Sequence, residues 1–418
     1  MIEQHCLDVI ESTRFDSLDE GEQERLMVLL IHDFAMGSAA SDTEFARNMV
    51  DKELLGDRGY TLFGRTDRSR SFDMAVQYNA MAITASIRED FVSGTHPGAI
   101  LFPLLLAQTE RSSLEVSRML DAAAVGLKLS LLLTDAYGKA FAAKGFRPTT
   151  ALHAMAGAAA LSRLQGSSPE DAMKALSAAA GMVQGLAFAF QEGSEEWLVQ
   201  VPLAAEAAIL AVRNAPSMRF YHPNPLSGER SLSSWLGVDS SSLTASPEAL
   251  KLTRIGVKKH PVNSFVQPVV EAVLRTGVGG HPDGDVAEVL VVVPQEFSAM
   301  MPTLASTGPF PSPNLGLLSI PASVALAIQG GGLVFSDFRR SNDADVAELA
   351  SKVRIEFSPD LKQYDVHVKV RKAGEDLEQH LETSAFYPSL QEEIQWTFRQ
   401  YPHPIPWTDR VLQWFEAR

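Results

Sequence analysis

Cysteine is almost absent. Cys6 stands alone among 418 residues, which excludes an internal disulfide framework and fits a reducing compartment. Basic residues are outnumbered, 36 against 51 acidic, and the net charge of −15 disfavours nucleic acid as a partner. Long apolar runs are missing as well: charges or small polar residues interrupt the longest stretches, which fall short of a membrane span. Residues 1–20 are acidic and polar, unlike a secretory signal. There is no serine elbow, no CxxC pair and no dinucleotide fingerprint. Gly277, Gly279 and Gly280 cluster without the strand and helix that a phosphate loop needs, so they read as a turn. His96, His260 and His281 are scattered and none has an acid at helical ligand spacing, so no metal is expected. These absences leave a soluble, cytoplasmic chain, too long for one compact core, for which two domains are expected.

What is present changes character along the chain. Residues 1–250 read as helices almost throughout. GEQERLMVLLIHDFAMGSAA (21–40) spaces its apolar positions three and four apart. Alanine dominates 118–213, and such small side chains let neighbouring helices approach closely. In SSPEDAMKAL, Ser168 suits a helix cap, Pro169 the first helical position, and Glu170 with Asp171 the positive helix end. SPEALKLTR (246–254) repeats that grammar. Beyond about 255, DVAEVLVVV (285–293) is a β-branched run after the turn-forming HPDG. VRIEF (353–357) and YDVHVKVRK (364–372) alternate, and AGED (373–376) turns the chain as in a hairpin. IPASVALAIQ (320–329) and DADVAELASKV (343–353) read as helices between them. The tail returns to a helical period and is expected to pack back on the first domain. The expected fold is mainly α with a second α+β domain: a large all-helical domain over 1–254 and 388–418, and a smaller α+β lid over 255–387.

Four stretches together resemble the MmgE/PrpD family, which includes 2-methylcitrate dehydratase, cis-aconitate decarboxylase and iminodisuccinate epimerase. The first is REDFVSGTHPGAI (88–100), with acids upstream of THPGA. The second is GFRPTTALHAMAGAAALSRLQGSSPEDAMKALSAAAGMVQGL (145–185), similar to the family's Gly-Phe-His-Pro-Thr turn and paired alanine-rich helices. The third is VKKHPVNSFVQPVVEAV (257–273), similar to the Lys-Pro-Tyr-Pro segment entering the lid. The fourth is the order strand, helix, helix, hairpin, helix across 285–400. The resemblance implies a helical domain, a lid, an active site between them, and a homodimer.

It also implies chemistry on polycarboxylates without a cofactor. Such chemistry needs a group titrating near neutrality and fixed positive charge to hold anions. His96 matches a family active-site histidine at a helix start, where the dipole also favours a substrate anion. Asp90 lies where the family keeps an Asp-rich run, and Lys258 matches its lid lysine. The departures are as informative. Arg147 replaces the turn histidine; it can clamp a carboxylate but does not exchange protons near neutral pH. Six residues on, His153 replaces a usual glycine and is a candidate relocated acid/base, with a core histidine as the alternative. Gln200 stands in for a lysine, Ala322 for a frequent tyrosine, and His260 for an aromatic. Lost cations imply a substrate with fewer carboxylates or a larger, less polar body. Phe188, Phe190, Met155 and Met182 agree with an apolar pocket, and each also suits a core.

The expected function is therefore a cofactor-independent lyase or isomerase acting next to a carboxylate or carbonyl. His96, Asp90 and His153 are its catalytic candidates; Arg147, Lys258, His260 and Gln200 are its substrate-binding candidates. The alternatives are a repurposed specialised-metabolism cyclase on a larger, less polar substrate, and a non-catalytic relative that binds a ligand or a partner subunit.

Overall fold

A computed structural model describes residues 2–182, 185–243, 245–280, 286–301, 303–362, 364–401 and 406–417. The HPDG turn with His281, and residues 402–405 of the tail, lie outside the described residues. The chain divides into two units: residues 1–187, 196–257 and 388–418 form one, and residues 188–195 and 258–387 the other. The short 188–195 segment departs from its sequence neighbours in a way that the expected boundaries did not include.

The first unit is helical. Its opening helices are α1 (Ile2–Ser12), α2 (Glu20–Ala39) and the short α3 (Glu44–Asn48), followed by the two-residue strands β1 (Leu55–Gly56) and β2 (Arg68–Ser69). Then come α4 (Phe72–Ser86), strand β3 (Asp90–Phe91), α5 (Gly98–Arg111), α6 (Val116–Ala143), α7 (Pro148–Leu164) and α8 (Pro169–Ala180). Short α9 (Phe188–Glu192) belongs to the second unit; α10 (Glu196–Asn214), α11 (Leu232–Leu236) and strand β4 (Gly256–Val257) return to the first. The start signals act as local chemistry predicts. Asp19 accepts from the Glu22 amide at the head of α2, Ser71 from Met74 at α4, and Ser168 from Asp171 at α8. Small residues let the helices close up: a Cβ added at Gly126 in α6 would lie 3.0 Å from the Ala160 Cβ of α7. The resulting core runs through α5, α6 and α7 and is almost wholly aliphatic and alanine.

Two expectations need correction. SPEALKLTR does not form an α-helix but two 3-10 turns, Glu248–Leu250 and Leu252–Arg254. Lys251 between them is extended, held by an ion pair with Asp19, and the Leu252 amide donates to Glu22 Oε1 at 3.1 Å. Bonds to α2 thus override the local helix signal. Conversely, Glu196–Ser217 is long and apolar enough to cross a membrane by length and composition, whereas every apolar run was expected to fall short. Because 61% of its 18-residue apolar window is buried within the protein, it has the burial of a core helix.

The second unit contains α12 (Gln267–Arg275), strand β5 (Val286–Pro294), the short α13 (Pro313–Gly316), α14 (Ile320–Gly330), α15 (Ala344–Ser351) and strands β6 (Val353–Ser358), β7 (Val366–Lys372) and β8 (Glu375–Leu381). The sheet order is β6-β5-β7-β8, with β5 and β6 parallel and the other pairs antiparallel. Strand β7 alternates buried valines (Val366, Val368, Val370) with more exposed His367 and Lys369, as a sheet with one covered face requires. Lys372 pairs with Glu375, so Ala373 and Gly374 form a two-residue turn, both with positive φ (48° and 85°). Helix α12 packs on β7 and β8, and α14 on α12 and α15. Helices α16 (Leu390–Gln400) and α17 (Pro406–Glu416) close the chain and pack on α2 in the helical unit.

Candidate functional site

The sharpest local architecture surrounds THPG. Strand β3 pairs antiparallel with β4, Asp90 opposite Val257. Val92 and Thr95 then exchange both backbone hydrogen bonds (2.9 and 2.8 Å) around Ser93 and Gly94, which take positive φ of 47° and 77°. This reversal delivers His96 and Pro97 directly to the first turn of α5.

Each polar group of Asp90 has a task there. Its carboxylate accepts from the Gly98 amide through both oxygens (3.0 and 3.1 Å), so it caps the positive end of α5. Its backbone carbonyl lies 2.7 Å from His96 Nδ1. A carbonyl only accepts, so Nδ1 carries the hydrogen and Nε2 is the nitrogen that gains and loses a proton. Nε2 lies 3.4 Å from Glu89 Oε1, where an imidazolium would be stabilised. Asp90 therefore orients the His96 ring through its main chain, while its buried side chain is engaged by the helix.

Behind Asp90 stands Asp33 of α2, fully buried, whose Oδ1 accepts from the Asp90 amide at 3.0 Å. Burial, then the Asp90 charge, with smaller contributions from Glu89 and Glu393, holds the Asp33 carboxyl well above the usual range against the opposing backbone hydrogen bond. Its neighbour His32 places Nδ1 2.7 Å from Glu393 of α16 and Nε2 2.5 Å from the Arg88 carbonyl, and stacks on Trp396. Asp33 and Glu89 were not among the expected site residues. The available signal for Asp33 was the polar pair His32–Asp33 inside the apolar stretch 26–37 of α2.

Two expected outcomes follow from this layer. A Cβ at Gly98 would lie 2.1 Å from Asp33 Oδ2 and 2.7 Å from Phe102. Gly98→Ala should therefore lose roughly 1–3 kcal/mol through overpacking, read as a lower denaturant midpoint. For Asp33, a folded pKa above the unfolded value means that its stabilising contribution is full below the unfolded value and is lost as pH rises through the folded one. Asp33→Asn keeps the oxygen that accepts from Asp90 and cannot ionise. Its urea midpoint, compared with wild type at pH 4 and pH 8, should show a difference moving in favour of Asn as pH rises.

The other expected residues fall into two places. Arg147 is the N-cap residue of α7, buried, with Nη1 donating to the Trp197 carbonyl of α10 at 2.5 Å. Burial lowers its pKa to about 10, opposed by the Glu89 charge, so it is still a cation at neutral pH. His153 lies two turns along α7, fully buried, and neither ring nitrogen has a hydrogen-bond partner among the described residues. Burial first, then the His96 and Arg147 charges, press its pKa down to about 3. It is neutral at physiological pH, which does not suit the relocated acid/base role expected of it. Gln200 is on α10, with Nε2 donating to the Leu186 carbonyl at 2.9 Å. Asp90, His96, Arg147, His153 and Gln200 thus share the helical unit; Arg147 feels the Glu89 charge, and His153 those of His96 and Arg147.

Lys258 and His260 belong to the second unit. Lys258 is buried at its start. His260 Nε2 lies 2.9 Å from Glu271 Oε2. Burial pushes the Glu271 carboxyl up, but the His260 hydrogen bond and the charges of Lys259 and His260, with Arg275, outweigh it and bring it to about 2. His260 is thus engaged in an ion-pair cluster on α12. Ala322 is buried in α14. Of the candidate apolar lining, Met155 is core, whereas Phe188 is 42% exposed on α9. No cluster of potential metal ligands occurs among the described residues.

The MmgE/PrpD N-terminal domain matches residues 4–217, just over half of the chain and most of the helical unit. No curated protein sequence matches it.

Proposed function

The chain belongs to the MmgE/PrpD family, which includes dehydratases and related lyases, and from that premise we propose that it is a cofactor-independent lyase acting at the carbon next to a carboxylate. The observation that carries this reading is the anchoring of His96. With Nδ1–H fixed on the Asp90 carbonyl, Nε2 is the base; it takes the proton from the carbon, and Glu89 stabilises the imidazolium that forms. Arg147 holds the substrate carboxylate and the negative charge that develops on it. The leaving group then departs with the electron pair of its bond to the neighbouring carbon, and the imidazolium supplies a proton where the leaving group needs one.

His153 favours lyase over isomerase. With a pKa of about 3 it is not an imidazolium at neutral pH and is a weak base. A site with one proton-cycling imidazole supports elimination, which needs one base, better than a two-base inversion. Location in the cytoplasm and a homodimer complete the proposal on the family resemblance alone.

The test is turnover. Mono-, di- and tricarboxylates, with and without hydroxyl groups, are incubated with the protein and followed by NMR for loss of water, loss of carbon dioxide or inversion. Water or carbon dioxide leaving one compound supports a lyase. Inversion alone would replace it by an isomerase, and no turnover of any compound would favour the non-catalytic alternative.

A further inference from the structure

Buried polar atoms without partners are few in folded proteins, and each calls for an explanation. Two of them occur around the N-terminal turns of α7. His153, with no exposed surface, has both ring nitrogens unpartnered among the described residues, and Gln200, 9% exposed, has Oε1 in the same state. They are not strays from a loose region. Helix α10 packs along α7. The backbone of Gly185, with φ of 92°, passes between them, its carbonyl accepting from the Arg147 amide at 2.8 Å. A Cβ at Gly185 would lie 2.2 Å from Thr150 Oγ1 and 3.5 Å from Gln200 Oε1, so Thr150 and Gln200 both border the Gly185 backbone, where only glycine fits. Arg147, one turn before Thr150, is bonded to Trp197, one turn before Gln200.

The chemistry of the set is selective. Arg147 offers charge and donors. Gln200 donates through Nε2 to Leu186, and its Oε1 is left as an acceptor that an O–H or N–H donor satisfies. Neutral His153 offers one donor and one acceptor. Arg147 is the cation of this group, and it already feels the charge of Glu89. An anion with one carboxylate can be held there; each further carboxylate brings repulsion.

We propose that Arg147, His153 and Gln200 form a subsite for a hydroxylated monocarboxylate, with the carboxylate on Arg147 and the hydroxyl donating to Gln200 Oε1 beside His153. The substrate class rests on the lyase reading above; the subsite itself is tested by binding alone.

Calorimetric titration at pH 7.5 compares 2- and 3-hydroxybutyrate with butyrate, and malate with succinate. The expected result is that one hydroxybutyrate binds at least about 10-fold tighter than butyrate, and tighter than malate or succinate. Gln200→Met, which fills the same space without an acceptor, should reduce the hydroxyl preference to below about 2-fold. Gln200→Glu, which keeps an acceptor, should retain the preference while binding every carboxylate more weakly, and it serves equally if the Met variant does not fold. Equal binding of butyrate, tighter binding of the dicarboxylates, or a preference that survives Gln200→Met would overturn the subsite. The two readings fail separately. A hydroxybutyrate bound with this signature but never turned over removes the lyase and leaves the subsite; turnover with no hydroxyl preference does the reverse.

Discussion

His96→Ala lowers turnover by about 10²–10⁴-fold, the range for loss of a positioned general base, while the fold persists. The ring is not part of the hydrophobic core and its removal leaves the Asp90 carboxylate bonded to the Gly98 amide, so α5 keeps its cap. What is lost is an imidazole whose tautomer is set by the Asp90 carbonyl and whose second nitrogen faces the Glu89 carboxylate. His153→Phe provides the contrast. Neutral and interior, His153 cycles no proton, so its loss should weaken substrate binding more than turnover at saturation. Initial rates over a range of substrate concentrations separate the two. A kcat effect as large for His153 as for His96 would contradict the assignment of roles.

Arg147→Lys raises KM about 10- to 100-fold, the cost of losing a hydrogen-bonded buried charge contact of about 1.5–3 kcal/mol. A lysine preserves the charge formally but not the planar fork. It also cannot both reach the Trp197 carbonyl as Nη1 does and present two donors to a carboxylate. Arg147→Met removes the charge as well and leaves Glu89 without the cation that it opposes, so it should bind anions more weakly still. Binding of a competing carboxylate, measured by titration for both variants, checks the order wild type, Lys, Met. An unchanged affinity in the Met variant would mean that Arg147 serves only to tie α7 to α10.

How much of this was legible in the sequence depends on the distance over which each feature is determined. The cap at Ser168, the Ala373–Gly374 turn and the alternation of β7 are settled within a few residues, and they could be read directly. The His96 turn was visible as THPG because its reversal is completed between Val92 and Thr95. Its support was not visible: Asp33 reaches Asp90 from 57 residues away, and His32 reaches Glu393 across 361. The same limit misled the reading of SPEALKLTR, where tertiary bonds from Asp19 and Glu22 outcompete a sound local start signal. His153 shows a second limit. Its residue type suggests a proton carrier, but its pKa is set by burial and by the charges of His96 and Arg147, none of which a single position reveals.

The central claim is that His96 exchanges a proton with the carbon next to a carboxylate held on Arg147. Its most direct measurement is deuterium incorporation at that carbon in deuterated water, followed by NMR on a compound that the protein binds, with wild type beside His96→Ala. Incorporation by wild type and none by the variant is the expected result, although the variant still binds the compound. Incorporation at the wild-type rate in His96→Ala, or none in wild type with a bound carboxylate, would contradict it.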